Sequence, residues 1–199
     1  SALRKVLGPG AIATVAGRGY RFTLETAQAE TPVSPAPVAK HNLPAQVSSF
    51  IGRERELADL HATLARHRLV TLVGVGGIGK TRLALELAGA AIDAYPDGAW
   101  FVDLAPVSDP QLVAHAVAAA LGVKEAPGQP VGVALQQFVA ERALLLVLDN
   151  CEHLLRECAQ LARDLLQAGP KLTIVATSRA QLDDIYRTLS ASEQVLFLL

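Results

Sequence analysis

A glycine-rich loop followed by lysine and threonine carries the most specific chemistry of this sequence. Residues 74–81 read Gly-Val-Gly-Gly-Ile-Gly-Lys-Thr and match the pattern GxxxxGK[ST], with an apolar run before them and a helical pattern after them. Glycines let successive backbone N–H groups turn toward one phosphate chain, and the helix N-terminus adds partial positive charge. Lys80 would reach the β- and γ-phosphates, and the Thr81 hydroxyl would bind Mg²⁺. The loop therefore predicts a site for a nucleoside triphosphate.

The same loop also satisfies a less specific pattern. Gly74, Gly76 and Gly79 match GxGxxG, the fingerprint of a Rossmann dinucleotide site. That fold requires an acidic residue about 20 positions further on, and Asp103 lies later than that. A dinucleotide site would also leave the Lys-Thr pair without a role, so it stays as the weaker alternative.

Two polar side chains follow strands that are otherwise apolar. Asp149 ends the run 144–148, and Arg179 follows the run 172–176 by way of Thr-Ser. Ligands bind at the carboxyl ends of the strands in an open parallel sheet, so both side chains are expected beside the loop. Asp149 would then share Mg²⁺ with Thr81, and Arg179 would read the γ-phosphate. The predicted catalytic set is Lys80, Asp149 and Arg179.

The elements that position these residues alternate between strand and helix. The predicted strands are 69–73, 99–104, 144–148 and 172–176, and the predicted helices are 54–66, 80–91, one opened by Asp109-Pro110, 132–142 and 152–168. Strands this continuously apolar are buried on both faces, and their alternation with helices makes the sheet parallel. The predicted fold class is therefore α/β, a three-layer P-loop NTPase domain.

Charge and composition divide the 199 residues unevenly. The hydrophobic fraction of 51% excludes a mainly disordered chain, and the formal net charge of −1 argues against a chain whose whole surface coats nucleic acid or anionic lipid. Residues 1–24 nevertheless hold four basic side chains and no acidic one, which leaves 14 basic against 19 acidic residues elsewhere. Within this basic segment, 11–15 and 20–24 predict a hairpin around a glycine turn. Four prolines make 26–44 a predicted linker.

The sequence shows neither a membrane span nor the pattern of a cleavable signal peptide, which predicts the cytoplasm as its compartment. No run approaches the roughly 20 apolar residues of a membrane span. Cys151 and Cys158 are seven apart, which on one helix would separate them by about 10 Å, too far for a disulfide. We interpret them as buried reduced thiols, with metal binding together with His153 as the alternative.

Four segments together resemble a known family. FIGREREL from Phe50, the loop segment GVGGIGKTRLALELA, LLLVLDNCEHL and IVATSRAQL resemble the nucleotide-binding core of bacterial STAND regulators, relatives of the NB-ARC ATPases within the AAA+ group. The preceding ALRKVLGPGAIATVAGRGYRF resembles the end of an OmpR/PhoB-type winged-helix DNA-binding domain. AfsR-like transcriptional regulators join these modules in this order.

The resemblance implies a domain plan, ligands and partners. It implies the end of a winged helix at 1–25, the linker at 26–44, the NTPase domain at 45–182, and a tail at 183–199 that resembles a segment normally found further downstream. The implied ligands are ATP or ADP with Mg²⁺, and the implied partners are promoter DNA and further copies of the chain. The resemblance implies that Mg²⁺ would be held by Thr81 and Asp149. DNA would be contacted by Arg4, Lys5, Arg18 and Arg21. The implied nucleotide-binding residues are Phe50, Ile51, Arg53, Gly74, Val75, Gly76, Gly77, Ile78, Gly79, Lys80, Thr81 and Arg82.

One departure from the family bears on activity. Asn150 follows Asp149 where many hydrolytic relatives have a second acid, so we expect at most slow ATP turnover, with the nucleotide marking a state. Glu152 is a possible substitute base. The expected function is an ATP/ADP-dependent switch of a transcriptional regulator. The alternative is a STAND-type ATPase that drives a non-transcriptional effector, for example in defence, with residues 1–24 incidental.

Overall fold

The computed structural model describes residues 12–15, 19–22, 40–45, 52–124, 128–179 and 194–199. The predicted site residues Arg4, Lys5, Arg18, Phe50 and Ile51 lie outside this part of the chain. Contacts divide the chain into two compact units, residues 1–38 and 39–199. The boundary falls inside the predicted linker.

The first unit contains a two-stranded antiparallel sheet. Its strands are β1 (Ile12–Val15) and β2 (Gly19–Phe22), with Ile12 opposite Phe22 and Val15 opposite Gly19. The backbone of Arg21 lies in β2. These strands lie where the hairpin is predicted, whereas the interpretation as the wing of a winged helix stays a prediction.

The second unit is built on a five-stranded parallel sheet. Its strands are β3 (Leu69–Val73), β4 (Ala99–Asp103), β5 (Leu145–Asp149), β6 (Thr173–Ser178) and β7 (Gln194–Leu198). They lie side by side in the order β4-β5-β6-β3-β7, and every neighbouring pair is parallel. The predicted α/β class with a parallel sheet is confirmed.

Helices cover both faces of this sheet. They are α1 (Glu54–Leu64), α2 (Lys80–Ala91), α3 (Val113–Leu121), α4 (Val131–Val139) and α5 (Leu155–Ala168), with short 3-10 turns at Ile92–Ala94, Pro110–Leu112 and Cys151–His153. Because successive strand residues point to opposite faces, β5 splits between two cores. Leu145 and Val147 pack with α1 and α2, while Leu146 and Leu148 pack with α3, α4 and α5. Burial on both faces explains why these strands are apolar throughout.

The strand order decides between the two interpretations of the glycine loop. In a Rossmann unit, the strand before the glycine loop is a direct neighbour of the next strand in the sequence, which follows the helix after the loop. Here that strand, β4, lies at the edge of the sheet, and β5 and β6 separate it from β3. The dinucleotide alternative is therefore wrong for this fold. The strand β6 lies between β3, which precedes the glycine loop, and β5, which carries Asp149.

A short segment before α1, which we call the edge strap (Lys40–Ala45), runs along β4. The Ala99 N–H donates to the Lys40 carbonyl oxygen at 2.9 Å, and His41 forms a parallel bridge with Ala99. The Asn42 side chain pairs with both backbone groups of Phe101, donating through Nδ2 at 2.8 Å and accepting through Oδ1 at 2.6 Å. Gly98 has φ +95°, and a Cβ there would lie 1.9 Å from the Lys40 oxygen. Only glycine fits this approach.

One helix differs from its prediction. The helix predicted over 152–168 is a 3-10 turn at Cys151–His153 followed by α5, so the spacing of about 10 Å inferred for one continuous helix does not apply to Cys151 and Cys158. Both are free and buried, as predicted, and hydrogen bonding to Cys158 together with burial raises the pKa of the Cys151 thiol. Residues 194–198 of the tail form β7, which pairs with β3, and the resemblance of the tail to a downstream segment stays a prediction.

None of the helices among the described residues is long and apolar enough to cross a membrane.

Candidate functional site

The glycine loop joins the end of β3 to the start of α2, as its sequence predicts. Gly77 and Gly79 have φ values of +80° and +89°, a conformation that side chains with a Cβ rarely adopt. The Lys80 ammonium folds back over the loop, donating to the carbonyl oxygens of Gly74 at 2.8 Å and Val75 at 3.1 Å. These partners are neutral, so the charge of Lys80 is available to an anion in the loop.

Asp149 is buried at the end of β5 and directly contacts the first turn of α2. The Thr81 hydroxyl lies 2.8 and 2.9 Å from the two carboxylate oxygens. The Thr177 hydroxyl, at the end of β6, donates to Oδ1 at 2.5 Å, and the Asn150 amide donates to Oδ2 at 3.1 Å. The two residues predicted to hold Mg²⁺ are therefore side by side.

The electrostatics of Asp149 combine opposing effects. Burial raises the pKa of its carboxyl group, and the hydrogen bonds from Thr177 and Thr81 oppose that shift. The nearby carboxylates of Asp103 and Glu152 raise the pKa further by repulsion. A cation at this point would relieve both the burial and the repulsion.

Asn150 turns the chain away from β5. It adopts the left-handed conformation with φ 63° and ψ 47°, which asparagine tolerates better than most residues. Its backbone N–H donates to the Thr177 hydroxyl oxygen at 3.1 Å, and its side chain bridges Asp103 Oδ1 and Asp149 Oδ2, each at 3.1 Å. The amide is thus directed at two carboxylates.

Arg179 lies over the glycine loop and is paired with an acid. Its Nε is 3.0 Å from Glu152 Oε1, and a Cβ on Gly76 would lie 3.3 Å from its guanidinium carbon. About two thirds of the Arg179 side chain is exposed, against 23% of Glu152. The second oxygen of Glu152, Oε2, is buried and has no hydrogen-bond partner among the described residues.

These elements enclose a cleft of about 370 Å³. Its lining combines loop backbone, three cations and one carboxylate. The lining residues are Gly76, Gly77, Gly79, Lys80, Thr81, Arg82, Leu85, Asn150, Glu152 and Arg179. An anion suits this cleft because its cations outnumber its carboxylate, although Arg82 also pairs with Glu86 at 3.0 Å.

Some predicted site residues lie outside this lining. Asp149 lies beneath Thr81, and Gly74 packs against the main chain of Leu199. Val75 is 71% exposed, and neither Ile78 nor Arg53 borders the cleft. Arg53 stands at the start of α1, and its Nη1 is buried without a partner among the described residues.

The donor set fits Mg²⁺ in the presence of a phosphate. Thr81 and Asp149 offer the hard oxygen donors that Mg²⁺ prefers. Within the described residues there is no group of three or more His, Cys, Asp or Glu side chains able to hold a metal ion alone. Mg²⁺ commonly binds through one or two protein ligands and completes its shell with substrate phosphates and water. The site would therefore take the metal together with a nucleotide.

Sequence reasoning missed two residues that organise the site. Thr177 bonds both Asp149 and the Asn150 backbone, and Asp103 holds the Asn150 side chain. Both residues stand at the carboxyl end of an apolar strand, which is the signal that identified Asp149. The same rule applied to all the strands would have found them.

The chain belongs to the AAA domain family, whose model matches residues 64–185. The fold agrees with this assignment. Among solved structures, a signal transduction ATPase with numerous domains from Pyrococcus horikoshii, described with a tetratricopeptide repeat sensor, aligns with a TM-score of 0.54. The identity is 18%, and the alignment covers 82% of this chain and 25% of the other, so this likeness concerns the fold alone.

Several curated relatives are named as regulators. A Mycobacterium tuberculosis protein named as an HTH-type transcriptional regulator is 51% identical over 120 residues, which are 60% of this chain and 13% of that protein. The regulatory protein AfsR of Streptomyces coelicolor is 34% identical over 180 residues, covering 81% of this chain and 17% of that protein. The chain thus spans less than a fifth of either relative.

Proposed function

We propose that this chain is the ATP- and ADP-binding switch of a cytoplasmic transcriptional regulator. The observation that carries the proposal is the convergence of the glycine loop, the Thr81–Asp149 pair and Arg179 on one cleft. A loop of this kind cradles phosphates, a threonine and an aspartate in contact suit Mg²⁺, and an arginine at the same sheet edge reads a terminal phosphate.

Each side chain has a defined part in binding. Backbone N–H groups of residues 76–80 and the Lys80 ammonium hold the phosphates, while Thr81 and Asp149 hold Mg²⁺, which would offset phosphate charge. Arg179 distinguishes ATP from ADP because only ATP presents a γ-phosphate to it. Phe50, Ile51 and Arg53 complete the adenine side of the site.

The switch requires the two nucleotides to favour different states. A ligand shifts an equilibrium only by its differential affinity for the two states. Arg179 is the group whose partner changes with the nucleotide, so it supplies that difference. We propose that the ATP state favours assembly of several copies of the chain.

DNA binding belongs to the first unit in this proposal. Residues 1–24 carry four basic side chains and no acidic one, and the β1–β2 hairpin includes Arg21. Arg4, Lys5 and Arg18 would contact phosphates, and Arg21 would enter the minor groove of promoter DNA. The names of the mycobacterial and streptomycete relatives support this arm of the proposal.

Calorimetry with Mg²⁺-ATP and Mg²⁺-ADP tests the nucleotide arm. We expect the chain to bind both and Lys80→Ala to weaken each at least 100-fold, because the substitution removes the charge that offsets the phosphates. Lys171→Ala, an exposed lysine outside the cleft, is the matched control and should bind as the unmodified chain does. Affinities of Lys80→Ala equal to those of the unmodified chain would refute the proposal.

Salt-dependent binding to duplex DNA tests the other arm. The slope of log K against log salt reflects the number of phosphates neutralised, at about 0.9 per contact. We expect Arg18→Ala with Arg21→Ala to lower the slope by up to 2 and to weaken binding, while the control Arg66→Ala with Lys171→Ala changes neither. An unchanged slope and affinity in the first double variant would instead favour an ATPase that serves a non-transcriptional effector.

A further inference from the structure

Glu152 and Arg179 form an ion pair at the cleft. Glu152 provides the single carboxylate among the described residues that line the cleft. Asp149 does not border the cleft, and its two oxygens accept hydrogen bonds from three side chains. Asn150 carries an amide, which is not a base at neutral pH. Among the described residues that line the cleft, Glu152 is therefore the side chain able to accept a proton from bound water.

The turn that carries Glu152 is held at both ends. The left-handed backbone of Asn150 begins it, and the Cys151 thiol is buried with Sγ 3.5 Å from the Leu148 carbonyl oxygen. His153 Nε2 lies 2.8 Å from the Val107 carbonyl oxygen on the far side. Glu152 stands between these anchors and borders the cleft, so its position is set by the main chain.

The hydrogen-bonding capacity of Glu152 is only partly used. Oε1 is paired with Arg179, and Oε2 is buried with no partner in the described part of the chain. Buried carboxylate oxygens normally accept hydrogen bonds, and one without a donor is costly. The unpartnered Oε2 is thus an acceptor in need of a proton donor such as a water molecule.

Arg179 has a competing partner when a nucleotide occupies the loop. Its guanidinium lies against Gly76, within the loop that would hold the phosphates, and most of the side chain is exposed and free to reorient. A guanidinium can form two parallel hydrogen bonds to a phosphate, which carries more negative charge than a carboxylate. A γ-phosphate would therefore draw Arg179 away from Glu152.

We propose that Glu152 is the general base for ATP hydrolysis at this site and that Arg179 keeps it paired until a γ-phosphate arrives. The inference rests on the proposed function and assigns one step within it. The water oxygen bonds to the γ-phosphorus while the bond from that phosphorus to the bridging oxygen breaks. ADP leaves with the electron pair, Glu152 takes a proton from the water, and inorganic phosphate is formed. Arg179 meanwhile stabilises charge on the γ-phosphate oxygens.

Substitution of Glu152 in the full 199-residue chain tests the step. Glu152→Gln keeps the shape of the side chain and removes its basicity, so we expect ATP and ADP affinities within threefold of the unmodified chain by calorimetry. Single-turnover hydrolysis of ATP should fall at least 100-fold, the usual range for loss of a general base. Glu157→Gln, the same change five residues further on, should alter neither rate nor affinity.

Arg179→Ala separates the base from its partner. We expect ADP affinity to stay within threefold while ATP affinity falls at least tenfold, because the guanidinium contacts only the γ-phosphate. Glu152→Asp retains a carboxylate set further back and should hydrolyse ATP at an intermediate rate. It also provides a second test if Glu152→Gln does not fold, as judged by circular dichroism.

These measurements distinguish a failure of Glu152 as general base from a failure of the chain to bind nucleotide. Nucleotide binding with an unchanged rate in Glu152→Gln would overturn the base and leave the switch standing. Nucleotide binding by the unmodified chain without any turnover would do the same. Failure of the unmodified chain to bind nucleotide would overturn both.

Discussion

Asp149 and Glu152 stand three residues apart at one sheet edge, and their surroundings are opposite in kind. Three side chains donate to Asp149, and its position follows from the ends of two strands and the start of α2. Glu152 has one exposed ion pair and one oxygen without a partner. The first arrangement holds the carboxylate in a fixed position before any ligand arrives, which suits a metal ligand. The second can change partners at low cost, which is what a switch requires.

Loss of a donor to Asp149 should have the largest effect on stability. Thr177→Val removes a hydrogen bond to a buried carboxylate and the acceptor of the Asn150 N–H, without changing the size of the side chain. Hydrogen bonds to charged groups contribute about 1.5–3 kcal/mol, so we expect the free energy of unfolding to fall by about 2–3 kcal/mol. Urea denaturation measures it. A loss below about 1 kcal/mol would mean that Asp149 does not depend on this donor.

Asn150→Ala should cost somewhat less. Alanine in the left-handed region is strained by about 1–2 kcal/mol, and the bonds to Asp103 and Asp149 are lost as well. We expect a decrease of about 2 kcal/mol in the same assay. Asn150→Gly removes the same hydrogen bonds without the backbone strain, so its free energy of unfolding should be about 1 kcal/mol higher than that of Asn150→Ala. Equal losses in the two variants would show that the backbone conformation carries no cost.

Thr71→Val tests an unpaired group in the same sheet and should have the opposite sign. The Thr71 hydroxyl is fully buried in β3 with no partner among the described residues. Valine has the same shape and no polar group to bury, so we expect the free energy of unfolding to rise by about 1 kcal/mol. The substitution also serves as the matched control for Thr177→Val. A decrease would indicate that the hydroxyl has a partner in the folded chain.

Arg179→Ala should change stability least. The ion pair with Glu152 has one largely exposed partner, and exposed pairs contribute about 0–1 kcal/mol. We expect a loss below about 0.5 kcal/mol in urea, with Arg66→Ala as an exposed control. A loss above about 2 kcal/mol would show that the pair fixes the fold and is not free to exchange.

Local sequence patterns predicted much of the sheet and the loop. The strand β3 and the helix α2 lie where the apolar run and the helical period place them, and β5 and β6 lie within two residues of expectation. These elements are recognisable because burial on both faces demands continuous apolar runs. Asp149 was found from its position at the end of such a run.

Contacts between distant parts of the chain were less predictable. Thr177 and Asn150 meet only because β5 and β6 are neighbours, which no local pattern reveals. The helix predicted over 152–168 is interrupted at Leu154, whose φ of −132° and ψ of 33° are not helical, since the helical period was visible in the sequence and the conformation of one residue was not. The pairing of Glu152 with Arg179 likewise depends on the strand order.

The edge strap is part of the folded second unit because it covers the outer edge of β4. Its first residue is hydrogen-bonded to Ala99, and Asn42 closes two backbone groups of Phe101 that an open sheet edge would offer to another chain. A fragment that starts at α1 would therefore keep the helices α1 to α5, but the edge of β4 would be exposed and able to pair with another chain. Truncations made for solubility, or cuts left by a protease, should spare Lys40.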